Sequence, residues 1–390
     1  MPVSVFSLML VVFSLTTGEF VIAGILPEVA GNLSVSIPAA GLLVTAYALG
    51  MIIGGPVVTV LTARLPRKPL IIGLIVVSIL GNLGSALAPN YALLLIARFF
   101  AGLIVATFFA VAIAVAVSTA PPGKEGSTVA KLTLGLNLGI ILGTPIGTFV
   151  GHTFGWRATF AAVAAVTVLA LLLVLLYVRT PTTPSAGSVL GELRVLGNRG
   201  VQLAIILTVV GNVGIVTVFS YITPLLTGVS GFSLAAMPVL LLVYGAGAVA
   251  GNFLGGWLTD KALMPSLAGL LAVLALALGL FWLLSGFPVA AVALTFVIGL
   301  LAFAIVPGTQ TRVLTAAAGA PTLALAVNAS GYQLAAAFAG WLGGAIIAGP
   351  GVRAIYLVGA ALTVAGLAIA LGSLAADRRA AAMNGVPATR

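Results

Sequence analysis

The sequence predicts an all-α polytopic membrane protein of twelve transmembrane helices, and three observations carry that prediction. First, 62% of its 390 residues are hydrophobic and only 6% charged, with a mean hydropathy of +1.30, which leaves too little polar surface to coat a water-soluble globule. Second, apolar runs of about 20 or more residues recur, the length a helix needs to cross roughly 30 Å of hydrocarbon. Membrane β-barrels use short alternating segments instead, so the strand alternative fails. Third, the 16 Lys and Arg stand in ones and twos between the apolar runs. That scatter excludes a nucleic-acid stripe and reads as a set of topology signals.

Breaks at Pro, Gly and charge clusters delimit the spans in order. The first six lie near residues 4–27, 38–62, 69–88, 91–118, 126–151 and 156–178. The second six lie near 200–226, 235–258, 263–285, 288–313, 320–348 and 352–376. The first run has no basic segment before it and is interrupted by Glu19, so it reads as a retained span rather than a cleaved signal. With both termini in the cytoplasm, the inner segments hold Arg64, Arg67, Lys68, Lys124, Lys131, Arg179, Arg194, Arg199, Lys261, Arg312, Arg378, Arg379 and Arg390. The outer segments hold only Arg157 and Arg353, a bias that requires an even number of spans. The four Trp (156, 257, 282, 341) fall towards span ends, as interfacial anchoring predicts.

The longest polar interval follows the sixth span and divides the chain. The expected organisation is a six-helix bundle over 1–178, a cytoplasmic linker over 179–199, a second bundle over 200–376 and a cytoplasmic tail over 377–390. The halves repeat. At a constant offset of 197, Tyr47 meets Tyr244, Gly50 meets Gly247, Gly54 meets Gly251, Thr62 meets Thr259, Arg64 meets Lys261 and Pro27 meets Pro224. Parallel duplication of six helices is the plan of the major facilitator transporters.

The motifs resemble that family directly. The stretches "TGEF...GILP" in span one, "ARFFAGL" in span four and "GIILGTPIG" in span five resemble the twelve-helix drug:proton antiporter group, in its chloramphenicol-resistance and arabinose-efflux-like branch. The resemblance covers the whole chain and implies two pseudo-symmetric bundles that expose a midplane site alternately to each side. One motif departs. The family's Gly-x-x-x-Asp-Arg-x-Gly-Arg-Arg-like loop after span two is here "TVLTARLPRK", with Thr59, Ala63 and Pro66 at the Gly, Asp and Gly positions and Arg64, Arg67 and Lys68 retained. The second-half counterpart "GWLTDK" keeps Gly256, Asp260 and Lys261. The basic residues serve equally well as topology anchors or as parts of a gate.

Glu19 and Arg98 are the charges embedded in the predicted spans. An ionised side chain at a helix centre costs about 2.5–3.5 kcal/mol on insertion scales, so such a group is neutral, paired or facing water. Burial raises a carboxyl pKa and a nearby cation lowers it, and a group held between those pulls loads and releases a proton near neutral pH. Both residues sit roughly 10–12 Å below the outer boundary at 1.5 Å per residue. Contact between spans one and four is what the resemblance implies. The bland alternative is a static pair that locks the first half, but desolvation makes buried pairs weak stabilisers. At offset 197 Glu19 meets Val216 and Arg98 meets Thr295, so proton handling is expected in the first half alone.

Gly139, Gly143, Gly147 and Gly151 recur every four residues on span five with Pro145 among them. That is a face for close backbone approach plus a kink, the pattern of the antiporter signature and also of ordinary small-residue packing. The sparse midspan polar and aromatic residues, Tyr47, Asn137, Asn212, Tyr221, Tyr244, Asn328 and Gln333, are expected to turn inwards. Few hydrogen-bonding groups suit a small, amphipathic, mostly neutral substrate better than a sugar. The expectation is therefore a proton-coupled exporter of small amphipathic compounds, phenicol-type antibiotics foremost, in a bacterial inner membrane. It is expected to act as a monomer, with a proton as coupling ion, no cofactor or metal and no nucleic-acid partner. A sugar or metabolite exporter, or a uniporter with a structural Glu19, is the alternative. An enzyme is not expected: there is no Cys, no nucleotide-binding loop, and His152, the sole His, reads as an interfacial loop residue.

Overall fold

The computed structural model describes residues 2–62, 64–121, 124–178, 198–317 and 321–383. The expected linker falls almost wholly outside them, as does the end of the expected tail. Among the described residues twelve helices are long and apolar enough to cross a membrane. Large apolar side chains such as Val60, Leu61, Leu87, Phe253 and Val289 are exposed, as lipid-facing surfaces require.

The chain forms two compact units. Unit 1 comprises Met1–Ala186, Ser220–Thr227 and Phe232–Leu242; unit 2 comprises Gly187–Phe219, Gly228–Gly231 and Val243–Arg390. Unit 1 contains α1 (Val3–Phe20), α2 (Ile22–Asn32), α3 (Ile37–Thr62), α4 (Arg67–Leu87), α5 (Tyr91–Leu103), α6 (Val105–Ser118), α7 (Glu125–Leu138), α8 (Thr144–Phe154) and α9 (Trp156–Tyr177). Most of α10 (Arg199–Ser220) and of α12 (Met237–Lys261) belongs to unit 2, with α13 (Leu263–Leu284), α14 (Pro288–Ala316), α15 (Pro321–Ala348) and α16 (Ala354–Met383). The short α11 (Ile222–Gly228) packs almost entirely with unit 1.

Several expected spans are broken helices. The first splits at Val21 into α1 and α2, and α2 carries the chain on to Asn32, past the predicted end at residue 27. Pro27 has no N–H to give the carbonyl of Ala23, four residues back. The Thr223 hydroxyl supplies the missing bond, donating to Ala23 O at 2.7 Å and Gly24 O at 3.2 Å. The fourth span breaks at Ile104, between α5 and α6. The fifth passes through a π turn, Gly139–Gly143, between α7 and α8. Pro145 explains it: without an N–H it cannot extend the α ladder, and the Thr144 N–H bonds back to Gly139 O instead.

The repeat holds at the level of atoms. A Cβ on Gly50 would lie 2.2 Å from Phe99 O, and one on Gly247 2.2 Å from Phe296 O. A Cβ on Gly54 would likewise lie 1.8 Å from Leu103 O and one on Gly251 1.9 Å from Leu300 O, while on Gly102 and Gly299 it would lie 2.1 and 2.3 Å from the carbonyl oxygens of Tyr47 and Tyr244. Every partner is displaced by the same 197 residues as the glycine that meets it. In each unit the second and fourth spans touch backbone to backbone, which only a missing side chain permits.

We name the two ends of each unit by charge: a basic face, where Arg64, Arg67 and Lys68 stand in unit 1 and Lys261 and Arg312 in unit 2, and an opposite face. The two cations on the opposite faces have repeated roles. Arg157, opening α9, donates through Nη2 to Ala88 O at 2.9 Å and lies 4.2 Å from the ring of Trp156. Arg353, just before α16, donates through Nε and Nη2 to Trp282 O at 3.0 and 2.7 Å and lies 5.1 Å from that ring. Each ties the start of a unit's sixth span to the carbonyl end of its third, where a cation is favoured by the orphan carbonyls.

Candidate functional site

The break at Val21 positions the site. α1 stops there with the Val21 N–H closing on Thr17 O at 2.9 Å, which leaves the carbonyls that follow at the helix end. Arg98, on α5, reaches them: Nη1 donates to Gly18 O at 2.8 Å and Nη2 to Glu19 O at 3.4 Å. The guanidinium is fully buried, with its carbon 4.3 Å from the centre of the Tyr47 ring and 5.4 Å from that of Phe160. Aromatic faces and helix-end carbonyls thus replace the water this cation has lost. Glu19 is half-buried beside it and acts on it electrostatically. The Tyr47 hydroxyl donates to Leu15 O at 3.3 Å, so spans two and four converge on one turn of α1. Arg98 therefore grips the backbone that carries Glu19, a detail that spacing along the chain does not reveal.

Asn82 was not singled out by the sequence reading. It is 3% exposed on α4, its Nδ2 donates to Ser78 O at 2.9 Å, and its Oδ1 lies 3.3 Å from where a Gly18 side chain would begin. Asn82 Oδ1 and Arg98 Nε are both buried without a hydrogen-bond partner. The available signal was an amide within the apolar run "SILGNLGSAL".

The span-five glycines all face the first span. Side chains at Gly139, Gly143, Gly147 and Gly151 would strike Thr16, Thr17, Val21 and Ile25 at 2.7, 1.9, 2.6 and 2.6 Å respectively. Pro145 is buried in the turn after the π segment. The seam so formed runs past Glu19 along the joint between α1 and α2.

The expected cavity residues separate into two groups. In unit 2, Thr208 Oγ1 donates to Asn328 Oδ1 at 2.6 Å, and Asn212 Nδ2 donates to Thr208 O at 2.7 Å. Gln333 is buried, and Tyr244 is buried with its ring 4.8 Å from that of Phe219. In unit 1, Asn137 is half-buried on α7 and Tyr221 is fully buried, its hydroxyl lying over Gly41, where a Cβ would be 1.7 Å away. The positions corresponding to the embedded charges hold Val216 and Thr295, both buried, and the Thr295 hydroxyl donates to Ala291 O at 2.7 Å.

On the basic face, Thr59 occupies its departure from the motif by meeting Thr107, hydroxyl to hydroxyl at 3.0 Å, and Lys68 Nζ donates to Leu175 O at 3.3 Å. Arg64 is exposed and Arg67 half-buried; Asp260 and Lys261 are exposed, with Lys261 Nζ 3.6 Å from the Trp257 ring centre. His152 corrects an expectation. It lies in the last turn of α8 rather than in a loop, with Nδ1 3.8 Å from Glu28 Oε1. Among the described residues no group of three His, Cys, Asp or Glu is placed to hold a metal ion.

Residues 8–322 match the family model described as Major Facilitator Superfamily. The chain is 34% identical over 366 residues to the Bacillus subtilis "Uncharacterized MFS-type transporter YfhI", covering 94% of this chain and 92% of that one. It is 32% identical over 352 residues to the "Chloramphenicol resistance protein" of Streptomyces lividans, covering 89% and 88%. It is 30% identical over 351 residues to the "Probable sugar efflux transporter" of Mannheimia succiniciproducens, covering 90% and 88%. Among solved structures, a D-xylose-proton symporter superposes with a TM-score of 0.75 at 18% identity, covering 94% of this chain and 96% of the other.

Proposed function

Because the chain belongs to the Major Facilitator Superfamily, whose members are transporters and not enzymes, we propose that it is a proton-coupled antiporter that exports small amphipathic compounds. The observation that carries the reading is the buried Arg98 fork on the backbone of Glu19, in one half of a repeated frame. Phenicol-type antibiotics are the leading substrate class, supported by the Streptomyces lividans relative and by the small number of polar groups at midspan. The basic face lies in the cytoplasm of a bacterial inner membrane, and the protein works as a monomer.

In this mechanism Glu19 takes a proton while its surroundings are open to the outside. Neutralisation removes its attraction for Arg98 and so changes the cost of parting the α1–α5 contact. A proton shifts the equilibrium between outward-open and inward-open states only by its different affinity for the two, and the water access of Glu19 supplies that difference. Asn212, Asn328 and Gln333 contribute substrate contacts from the second half, and Gly139, Gly143, Pro145 and Gly147 form the hinge seam.

Efflux measured in inverted vesicles, with substrate and pH gradient varied independently, tests the reading. Glu19→Gln is expected to abolish accumulation against a gradient while retaining substrate binding. If that variant concentrates substrate as the parent does, Glu19 is not the coupling group. A sugar exporter is the second reading, favoured by the Mannheimia succiniciproducens relative. A counterflow panel of phenicols and pentoses separates the two.

A further inference from the structure

The glycine seam between the first and fifth spans ends in charge. Gly147 packs on Val21 and Gly151 on Ile25; one turn beyond Ile25 stands Glu28, and directly after Gly151 stands His152. The carboxylate Oε1 and imidazole Nδ1 are 3.8 Å apart, with the two side chains 17% and 35% exposed. Glu28 Oε2 is buried without a hydrogen-bond partner. The coupling mechanism leaves this pair unused, and it holds the only His and one of only six acidic residues in the chain.

We propose that Glu28 and His152 form a second proton-binding site, on the face of unit 1 opposite the basic one, that closes or releases the end of the α2–α8 seam according to the pH on that side. The physical case begins with the carboxylate. One of its oxygens is buried and unpartnered, so the charged form is held back by lost hydration. Burial accordingly raises the Glu28 pKa, and a backbone hydrogen bond and the nearby imidazole only partly offset the rise. A carboxyl that protonates at higher pH than usual beside an imidazole gives a pair whose proton binding is coupled.

The surroundings are simple enough to assign the effect. From α9, Arg157 faces this end of α2, but its Nη1 is held by Asn32 Oδ1 at 2.6 Å and its Nη2 by Ala88 O. The sequence of α3 contains no ionisable group except Tyr47, which lies far along the helix at the Arg98 site. From α1, Glu19 is nine residues back along the chain, beyond the break at Val21. The pair therefore answers mainly to itself. Because burial raises the Glu28 pKa in the packed seam, proton uptake favours the closed arrangement, and ionisation leaves an under-hydrated carboxylate that loosens it, the nearby imidazole offsetting only part of that cost.

A single His makes the test direct. The full-length protein in lipid nanodiscs, with 15N-labelled His and 13C-carboxyl-labelled Glu, is titrated from pH 4 to 9 by NMR as parent, Glu28→Gln, His152→Gln and Glu19→Gln. The Glu28 carboxyl signal of His152→Gln is expected to titrate higher than that of the parent by about half a unit or more, the size of a Coulomb attraction at about 4 Å in a largely solvated setting. Glu19→Gln leaves that signal in place, so failure of the coupling assignment and failure of this one are read separately. If Glu28→Gln does not fold, the His152→Gln carboxyl curve decides alone. Superimposable Glu28 carboxyl curves in the parent and His152→Gln overturn the proposal, as does a Glu28 carboxyl that moves with Glu19→Gln rather than His152→Gln. Hydrogen exchange at residues 28–32 and 150–154 reads the closure itself. Acid is expected to slow exchange in the parent relative to Glu28→Gln, and equal pH dependence in the two rejects the closing role.

Discussion

Gly50→Ala and Gly247→Ala are expected to damage the protein equally, although they lie 197 residues apart. In each case the new Cβ would sit 2.2 Å from a backbone carbonyl oxygen, Phe99 O or Phe296 O. Ordinary contact begins near 3.4 Å, so each helix pair must part by about 1.2 Å at that point, and no side chain can rotate away because the obstacle is backbone. Overpacking of this kind costs about 1–3 kcal/mol, and backbone-on-backbone contact places it at the upper end, near 3 kcal/mol. Opening the helices also forfeits dispersion along the neighbouring Gly54 and Gly251 contacts. Gly73→Ala and Gly269→Ala are the controls: nothing lies within 4 Å of either new Cβ, so no loss is expected. Reversible unfolding in mixed micelles, followed by circular dichroism, gives the four values. The reasoning is refuted if the first two differ by more than about 1 kcal/mol, or if either is as harmless as the controls.

Arg98→Lys keeps the charge but cannot span two carbonyls. It is expected to cost about 1.5–3 kcal/mol in the same unfolding assay and to slow transport in vesicles. Thr223→Val preserves shape but strands the Ala23 carbonyl that Pro27 already deprives of its helical partner, at a cost of about 1 kcal/mol. A third expectation concerns acid. The Glu28 carboxyl has its pKa raised by burial, so its favourable contribution to the folded state is complete below the ordinary carboxylate range and is lost as pH rises through the raised value. Glu28→Gln, fixed in the neutral form, should therefore match the parent at low pH and become the more stable of the two as pH rises, as thermal unfolding from pH 4 to 8 would show.

The spans were legible because hydrocarbon imposes one simple rule, that about 20 apolar residues in a row form a helix. The breaks inside them were not. At the first break the freed carbonyls are met by remote neighbours, Thr223 for Ala23 and Arg98 for Gly18, whereas the π turn rests on Pro145 and its neighbour Thr144. Glu19 and Arg98 stood out from the sequence because embedded charge is rare. The geometry of their encounter, fork to backbone beside a carboxylate, is set by how α5 packs on α1. Asn82 and Thr208 escaped notice because one amide or hydroxyl in an apolar run is an ordinary helix-packing residue until its depth and neighbours are known. His152 was misplaced for the opposite reason: α8 runs on to Phe154, so a residue assigned to the water layer by span length is still helical and meets Glu28.

The frame around Arg98 is built twice and wired once. In unit 2 the glycine contacts, the tyrosine and the crossing helices are all present, yet a valine and a threonine fill the places of the two charged residues. The second copy is an insulator cut to the same pattern. On the proposed coupling, the charge moved per cycle is counted at one half of the molecule, and its gear ratio is a property of which sockets evolution left empty.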